Sequence, residues 1–214
     1  MRVEFYLNNI EEISINNVFV VDVSGSIKER MKIDIEKQVW YAELDIEIDM
    51  LTYKFWVNNN FYINDYYANY YKLIDGQVWS VRCIPQSKNL SVNSKGLIKY
   101  LNSIVSNQVT ESNYLGIEKH ELSKNNDEKA NVGIECNVLG GLHEVCLLWI
   151  SPNKVQIYTS YGIIQPEKDS YEYKVFIWFQ LLFEHIDNRI LEGEWKYVII
   201  LDGKLVKEES FIVR

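Results

Sequence analysis

The chain has 214 residues, of which 47% are hydrophobic and 14% aromatic, and its formal net charge is −8. This composition is typical of a globular protein and excludes a disordered one. Because both halves are acidic and no stretch clusters Lys or Arg, neither nucleic acid nor an anionic membrane surface is an expected partner. With no signal-peptide pattern and no apolar run near the length of a membrane span, we expect a cytoplasmic protein.

Apolar residues alternate with period two through most of the first 84 residues, which predicts antiparallel strands with one buried face. Residues 39–48 show the pattern most clearly, with Trp40, Ala42, Leu44 and Ile46 on one face. Residues 52–57 repeat it, and they place Lys54 and Trp56 together on the solvent side. Further strands are predicted at residues 3–7, 18–23 and 78–84.

A polar break follows the last of these strands. Residues 85–94 hold a proline and few apolar side chains, which is typical of a linker. In residues 95–106 the apolar side chains recur with the spacing of one face of a helix, so we predict a helix there. Ser94 could cap its N-terminus. The apolar stripe of this helix consists of Leu97, Ile98, Leu101, Ile104 and Val105.

The remaining sequence returns to strand patterns. We predict strands at residues 132–139 and 142–150 around the Gly140-Gly141 pair, at 154–159 and at 171–183, where a helix is the main alternative. The end of the sequence predicts a hairpin, with strands at 195–201 and 205–213 joined by Asp202-Gly203, a type I′ turn pair. Many short strands with regular turns favour sandwiches.

The expected fold is therefore all-β, with two immunoglobulin-like β-sandwich domains and one short connecting helix. The first sandwich is expected to cover residues 1–86, the linker and helix 87–106, and the second sandwich 107–214.

Residues 18–84 resemble the carbohydrate-binding module of AMP-activated kinase β subunits and glycogen-branching enzymes. The segments VFVVDVSGSI, VWYAELDI, TYKFWVNNNFYIND and DGQVWSVRCI match that family's strands in order. The resemblance implies an early-set β-sandwich that could recognise an α-glucan-like polysaccharide. It points to Lys54, Trp56, Phe61 and Trp79 as ligand-binding residues.

The departures from that family fall in its sugar site. Residues 28–30, Lys-Glu-Arg, replace the family's first stacking tryptophan, while Phe61 stands at the second and Trp79 near its asparagine. Lys54 alone is unchanged. We therefore expect a non-catalytic binding or assembly protein that uses this surface for a protein partner or self-association, with polysaccharide binding as the alternative.

The C-terminal half resembles bacterial immunoglobulin-like domains. EGEWKYVIILDGKLVKEESFIV is similar to their closing hairpin, and HEVCLLWISPNK is similar to an earlier corner. The resemblance covers roughly residues 107–214 and implies a binding or spacer unit.

A catalytic or metal site is not predicted. The three histidines lack metal-ligand spacing, and we expect His143 and His185 at the surface. Cys83, Cys136 and Cys146 are expected to be buried free thiols. Pairing of Cys136 or Cys146 with His120 or His143 would make the protein an enzyme with an unrecognised site, which is a second alternative. No cofactor is expected.

Overall fold

The computed structural model describes residues 1–83, 95–109, 116–166, 172–187 and 191–214. The described residues form antiparallel sheets with a single parallel pair, and they include one 3₁₀ turn at Phe183–His185 and no α-helix. The all-β prediction is confirmed. The predicted linker at residues 85–94, with Ser94, lies outside the described residues.

Two sheets make up the first half. The strands are β1 (Arg2–Asn8), β2 (Val18–Asp22), β3 (Lys28–Arg30), β4 (Lys32–Asp34), β5 (Val39–Asp45), β6 (Met50–Val57), β7 (Phe61–Ile63), β8 (Tyr70–Ile74) and β9 (Gln77–Cys83). Sheet 1 has the order β1-β5-β4. Sheet 2 has the order β3-β2-β6-β9-β8, and β7 also pairs with β6. The predicted strands of this half are all present.

Two more sheets make up the second half. The strands are β10 (Leu97–Ser106), β11 (Glu121–Leu122), β12 (Lys129–Leu139), β13 (His143–Ile150), β14 (Gln156–Ile164), β15 (Glu172–Leu182), β16 (Gly193–Leu201) and β17 (Lys204–Val213). Sheet 3 has the order β10-β12-β15. Sheet 4 has the order β11-β17-β16-β13-β14. Residues 172–182 form a strand, as their β-branched and aromatic content indicates.

The prediction of a helix at residues 95–106 is wrong, because residues 97–106 form strand β10 and pair antiparallel with β12. Successive side chains of a strand point to opposite faces, and a bulge between Tyr100 and Asn102 also shifts the register. The residues that would share a helical stripe are therefore divided between the two faces of the strand. Val105 is buried, whereas Leu97 is 68% exposed. Pairing along an 11-residue neighbour outweighs the weak local preference for helix.

The Gly140-Gly141 pair does not join a hairpin. Both glycines have positive φ, at 57° and 74°, but β12 belongs to sheet 3 and β13 to sheet 4. The pair therefore carries the chain from one sheet to the other. The Asp202-Gly203 hairpin is confirmed, with φ of 50° and 81° at the two turn residues and with β16 paired to β17.

Sheet 4 contributes to two hydrophobic cores. Cys146, Leu148 and Ile150 of β13 join the core of the first half, together with two residues of β16. The alternate β13 residues, Val145, Leu147 and Trp149, pack in the core shared with sheet 3. Each residue of β13 is consequently buried, and the two halves of the chain meet through one strand with two apolar faces.

Candidate functional site

Three aromatic rings lie side by side on the outer face of sheet 2. Phe19 of β2 is the cross-strand partner of Trp56 of β6, which is in turn the partner of Tyr62 of β7. The ring centroids of Phe19 and Trp56 are 6.0 Å apart, and those of Trp56 and Tyr62 are 6.1 Å apart with planes only 16° from parallel. We call these three residues the aromatic row. All three rings are half-buried, so the row presents aromatic surface to solvent.

The aromatic row is bordered by cations. Lys28 of the edge strand β3 places Nζ 4.3 Å from the centroid of the Trp56 ring and 4.8 Å from that of Phe19. Arg30 is the cross-strand partner of Phe19 and is exposed. Lys72 on β8, opposite Trp79, is exposed on the same face of sheet 2 but lies two strands away from β6. Since cations above aromatic faces are attracted by the ring quadrupole, Lys28 helps to order this surface.

The four residues that the sequence predicts to bind a ligand differ in their exposure to solvent. Trp56 and Trp79 are half-buried on the outer face of sheet 2. Phe61 is the cross-strand partner of Val57, lies in the first core and is 3% exposed, so it offers no open ring. Lys54 is 2% exposed, which makes the expectation that it faces solvent wrong. Its burial depends on residues of the second half, which strand periodicity alone does not reveal.

Lys54 lines a cavity of about 220 Å³ where the two halves meet. We call this cavity the junction pocket. The first half contributes strand residues and the β8–β9 turn, and the second half contributes side chains of β13 and β14. The lining residues are Lys54, Tyr62, Gly76, Gln77, Val78, Glu144, Tyr161 and Ile163. Clefts between packed units that combine apolar walls with a few polar groups are the usual setting of small-ligand sites.

A buried ion pair forms the polar end of the junction pocket. Lys54 Nζ lies 3.5 Å from Oε2 of Glu144, and the two side chains are 3% and 5% exposed. The Asn64 amide donates to Glu144 Oε1 at 2.8 Å. Burial raises the pKa of Glu144 to about 7, although Lys54 and the Asn64 hydrogen bond both act to lower it. Glu144 therefore exchanges a proton near neutral pH.

Three aromatic rings surround the Lys54 ammonium. Nζ lies 5.4 Å from the ring centroid of Trp79, 5.7 Å from that of Tyr161 and 5.9 Å from that of Tyr62. The Tyr161 hydroxyl donates to the Tyr62 carbonyl at 3.0 Å and accepts from the Tyr62 N–H at 2.9 Å. These bonds fix β14 against β7 and so hold two walls of the pocket at a set distance.

A buried hydrogen-bond network continues from the pocket into the contact between the halves. Ser80 donates to Asn64 Oδ1 at 2.9 Å, and its Oγ accepts from the Asp65 N–H at 2.7 Å. The Tyr71 hydroxyl lies 3.0 Å from the Asp65 carbonyl and 2.9 Å from the Asp202 carbonyl, so it bridges the two halves. Buried polar groups that are fully paired in this way fix a specific docking geometry.

His143 belongs to the same network and is completely buried, so the prediction of a surface histidine is wrong. Nδ1 lies 2.7 Å from Oδ2 of Asp202, and the other carboxylate oxygen of Asp202 accepts the Glu144 N–H at 2.9 Å. Sequence reasoning misses this contact because His143 and Asp202 lie 59 positions apart along the chain. The Asp202-Gly203 turn was recognisable, but the use of its carboxylate to bind His143 was not.

The buried cysteines are free thiols in unreactive surroundings. Cys136 and Cys146 are buried and Cys83 is half-buried, so the predicted burial is confirmed for the first two. Desolvation raises the pKa of Cys136 to about 12 and that of Cys146 well above its ordinary value. Thiols of this kind remain protonated and are poor nucleophiles. Among the described residues, no group of three or more His, Cys, Asp or Glu side chains could hold a metal ion.

Comparisons with known proteins find similarity at the level of structure alone. No family and no curated protein matches the sequence. An immunoglobulin-like protein from Pseudomonas aeruginosa aligns with 17% identity and a TM-score of 0.33 over 56% of this chain and 93% of its own. A maltogenic amylase from S. marinus aligns with 12% identity and a TM-score of 0.31 over 99% of this chain and 28% of its own.

A DUF3823 family protein from Bacteroides ovatus aligns with 8% identity and a TM-score of 0.28 over 99% of this chain and 100% of its own. Within the described ranges, no helix is long and apolar enough to cross a membrane.

Proposed function

We propose that this chain is a non-catalytic binding or assembly protein, and that the aromatic row of sheet 2 receives a protein partner with an acidic surface. The observation that carries the proposal is the row of Phe19, Trp56 and Tyr62 with Lys28 and Arg30 at its border. Aromatic residues and Arg are enriched at the centres of protein interfaces. The row supplies the rings, and the exposed edge strand β3 supplies the cations.

Charge selects the kind of partner. The chain as a whole carries a net charge of −8, yet the described positions on the outer face of β2, β3 and β6–β9 include no Asp or Glu. Lys28, Arg30 and Lys72 lie there, all exposed. A cationic patch of this kind attracts a partner with an acidic surface.

The proposal is tested by charge reversal at the border of the row. A partner is captured by cross-linking from the native host and purified, and its Kd is then measured for wild type and variants at two salt concentrations. We expect Arg30→Glu and Trp56→Ala each to weaken binding at least tenfold, which corresponds to about 1.4 kcal/mol. Wild-type affinity should fall as salt rises.

Arg214→Glu is the matched control, because this arginine side chain is 69% exposed and lies far along the chain from sheet 2. It should change Kd less than twofold, and circular dichroism should show that all variants fold. Equal Kd values for wild type, Arg30→Glu and Trp56→Ala would show that the partner binds elsewhere. A concentration-dependent dimer in light scattering, lost in the same variants, would identify a second copy of the chain as the occupant instead.

Polysaccharide binding is the second candidate, and one observation favours it: Trp56 stacks beside Tyr62, and Trp79 lies on the same face. Flat rings of this kind can stack on sugar faces. Retardation of the protein by glycogen in a native gel, abolished by Trp56→Ala but not by Arg30→Glu, would support this candidate. Unchanged migration at high glycogen concentration would eliminate it.

A further inference from the structure

We infer that the junction pocket binds a small organic carboxylate, with Lys54 as its cationic partner and Glu144 as a proton-carrying hydrogen-bond donor. This site is separate from the proposed protein-binding row, although Tyr62 borders both. Within the described part of the chain, Lys54 Nζ makes one hydrogen bond, the 3.5 Å contact with Glu144.

An ammonium group has three donors, and a buried ammonium that leaves donors unused loses the hydration it would have in water. The three aromatic rings at 5.4–5.9 Å from Nζ provide only weak compensation. Lys54 is among the residues that line the cavity, so its side chain is accessible to a molecule bound there. Acceptor oxygens brought in by a ligand would occupy the position that these donors face.

The protonation state of Glu144 determines the charge of the ligand. With Glu144 ionised, the pair is neutral and an added anion would lie beside a like charge. With Glu144 protonated, Lys54 is an unneutralised cation, and the carboxyl group can donate a hydrogen bond to a ligand oxygen. Burial already holds the pKa of Glu144 at about 7, so near neutral pH the proton needed for anion binding is taken from solvent at little cost.

Other charged and titratable groups face Glu144 without altering this conclusion. Asp202 raises the pKa of Glu144 further and is itself hydrogen-bonded to His143. The remaining neighbours are hydroxyl, thiol and amide groups that are neutral near pH 7, since burial raises the pKa of Tyr71, Tyr161 and Cys146 and an amide does not titrate. They are Asn64, Tyr71, Cys146 and Tyr161.

The walls define the body of the ligand. Val78, Ile163 and the rings of Tyr62 and Tyr161 line the cavity away from the ion pair, so the carboxylate should carry a short apolar group. A volume of 220 Å³ holds about seven water molecules at about 30 Å³ each, which indicates a ligand with a similar number of non-hydrogen atoms. Isobutyrate satisfies both conditions.

Calorimetric titration with isobutyrate, and with the isosteric neutral isobutyramide, tests the inference. We expect isobutyrate to bind at pH 6 at least tenfold more tightly than isobutyramide and about tenfold more tightly than it binds at pH 8. Titrations at pH 7.5 in two buffers of different ionisation enthalpy should show proton uptake on binding. Equal affinity for acid and amide, or tighter binding of the acid at pH 8, would overturn it.

Two variants locate the site. Ile163→Trp should fill the cavity and abolish binding, and since Ile163 is 41% exposed the substitution should leave the fold intact. Ile212→Trp, at a position 38% exposed on β17, is the matched control and should bind as wild type. Lys54→Met should also abolish binding if it folds. Retention of isobutyrate binding by folded Ile163→Trp would show that the ligand lies outside the junction pocket.

Discussion

His143 Nδ1 lies 2.7 Å from Oδ2 of Asp202, and Nε2 of the same ring lies 2.7 Å from the carbonyl oxygen of Gly140. Both ring nitrogens therefore face acceptors inside the protein. One bond ties the start of β13 to the Asp202-Gly203 turn. The other ties it to Gly140, in the segment that connects sheet 3 to sheet 4. A single imidazole thus fixes two chain connections at the contact between the halves.

Replacement of His143 should therefore destabilise the fold strongly. His143→Ala leaves the buried Asp202 carboxyl group and the Gly140 carbonyl without this hydrogen-bond partner, and a buried polar group left unpaired in this way costs about 2 kcal/mol or more. His185→Ala is the control, since the His185 side chain is 63% exposed and should change the free energy of unfolding by about 0.5 kcal/mol or less. Urea denaturation of both variants measures the difference, and similar values would contradict the role given to His143.

Glu144 should make stability depend on pH. Its pKa is raised from 4.5 to about 7 in the folded state, so its contribution to stability is fully present below pH 4.5 and is lost as pH rises through 7. The stability of wild type relative to Glu144→Gln should fall by about 3 kcal/mol between pH 4.5 and 7.5. The exposed Glu184→Gln serves as the control and should show no such trend. A difference between wild type and Glu144→Gln that is constant with pH would refute this linkage.

The strand assignment of residues 97–106 can be tested with two matched substitutions. Leu97 and Val105 share one stripe of a helix, but in strand β10 Leu97 is 68% exposed and Val105 only 4%. Val105→Asp should lower stability by about 3 kcal/mol or more, whereas Leu97→Asp should change it by about 0.5 kcal/mol or less. Chemical denaturation measures both, and comparable large losses would indicate that a helical stripe is buried after all.

Two Asp-Gly turns differ in their surroundings, which yields a further comparison. Gly76 has φ of 74° and open space around it, whereas Gly203 has φ of 81° and a side chain there would collide with the Asn64 backbone. Gly76→Ala should therefore lower the free energy of unfolding by about 1–2 kcal/mol, which is the cost of placing a residue with a Cβ in the left-handed conformation. Gly203→Ala should cost clearly more and weaken the contact between the halves. Thermal melts of the two variants that coincide would argue against close packing at Asn64.

The sequence predicts the strands of this protein more reliably than their partners. Alternation over residues 39–48 and 52–57 depends on each strand alone, so β5 and β6 were predictable, as was the Asp202-Gly203 hairpin. Short strands such as β3 and β7 have too few residues for a periodic signal. For residues 97–106, five apolar side chains fit a helical period by chance, and only the presence of β12 alongside decides between the two forms.

The candidate sites show the same limit. Trp56 was predicted on the outer face of sheet 2, and Phe19 and Tyr62 could have been added had the β2–β6–β7 register been known. The junction pocket was beyond prediction, because Lys54 and Glu144 lie 90 positions apart and meet only when the two halves pack. The sequence alone does not distinguish a lysine and a glutamate that form a buried ion pair from the same two residues exposed to solvent.

The double burial of β13 has a consequence for the order of events during synthesis. The core of the first half includes Cys146, Leu148 and Ile150, and it also includes Val198 and Ile200 of β16. When the ribosome has made the first 83 residues, that core still lacks one of its walls, and the apolar side chains meant to meet it stay uncovered. Since this wall comes from residues as late as Ile200, we expect the first half to complete its folding only together with the second half.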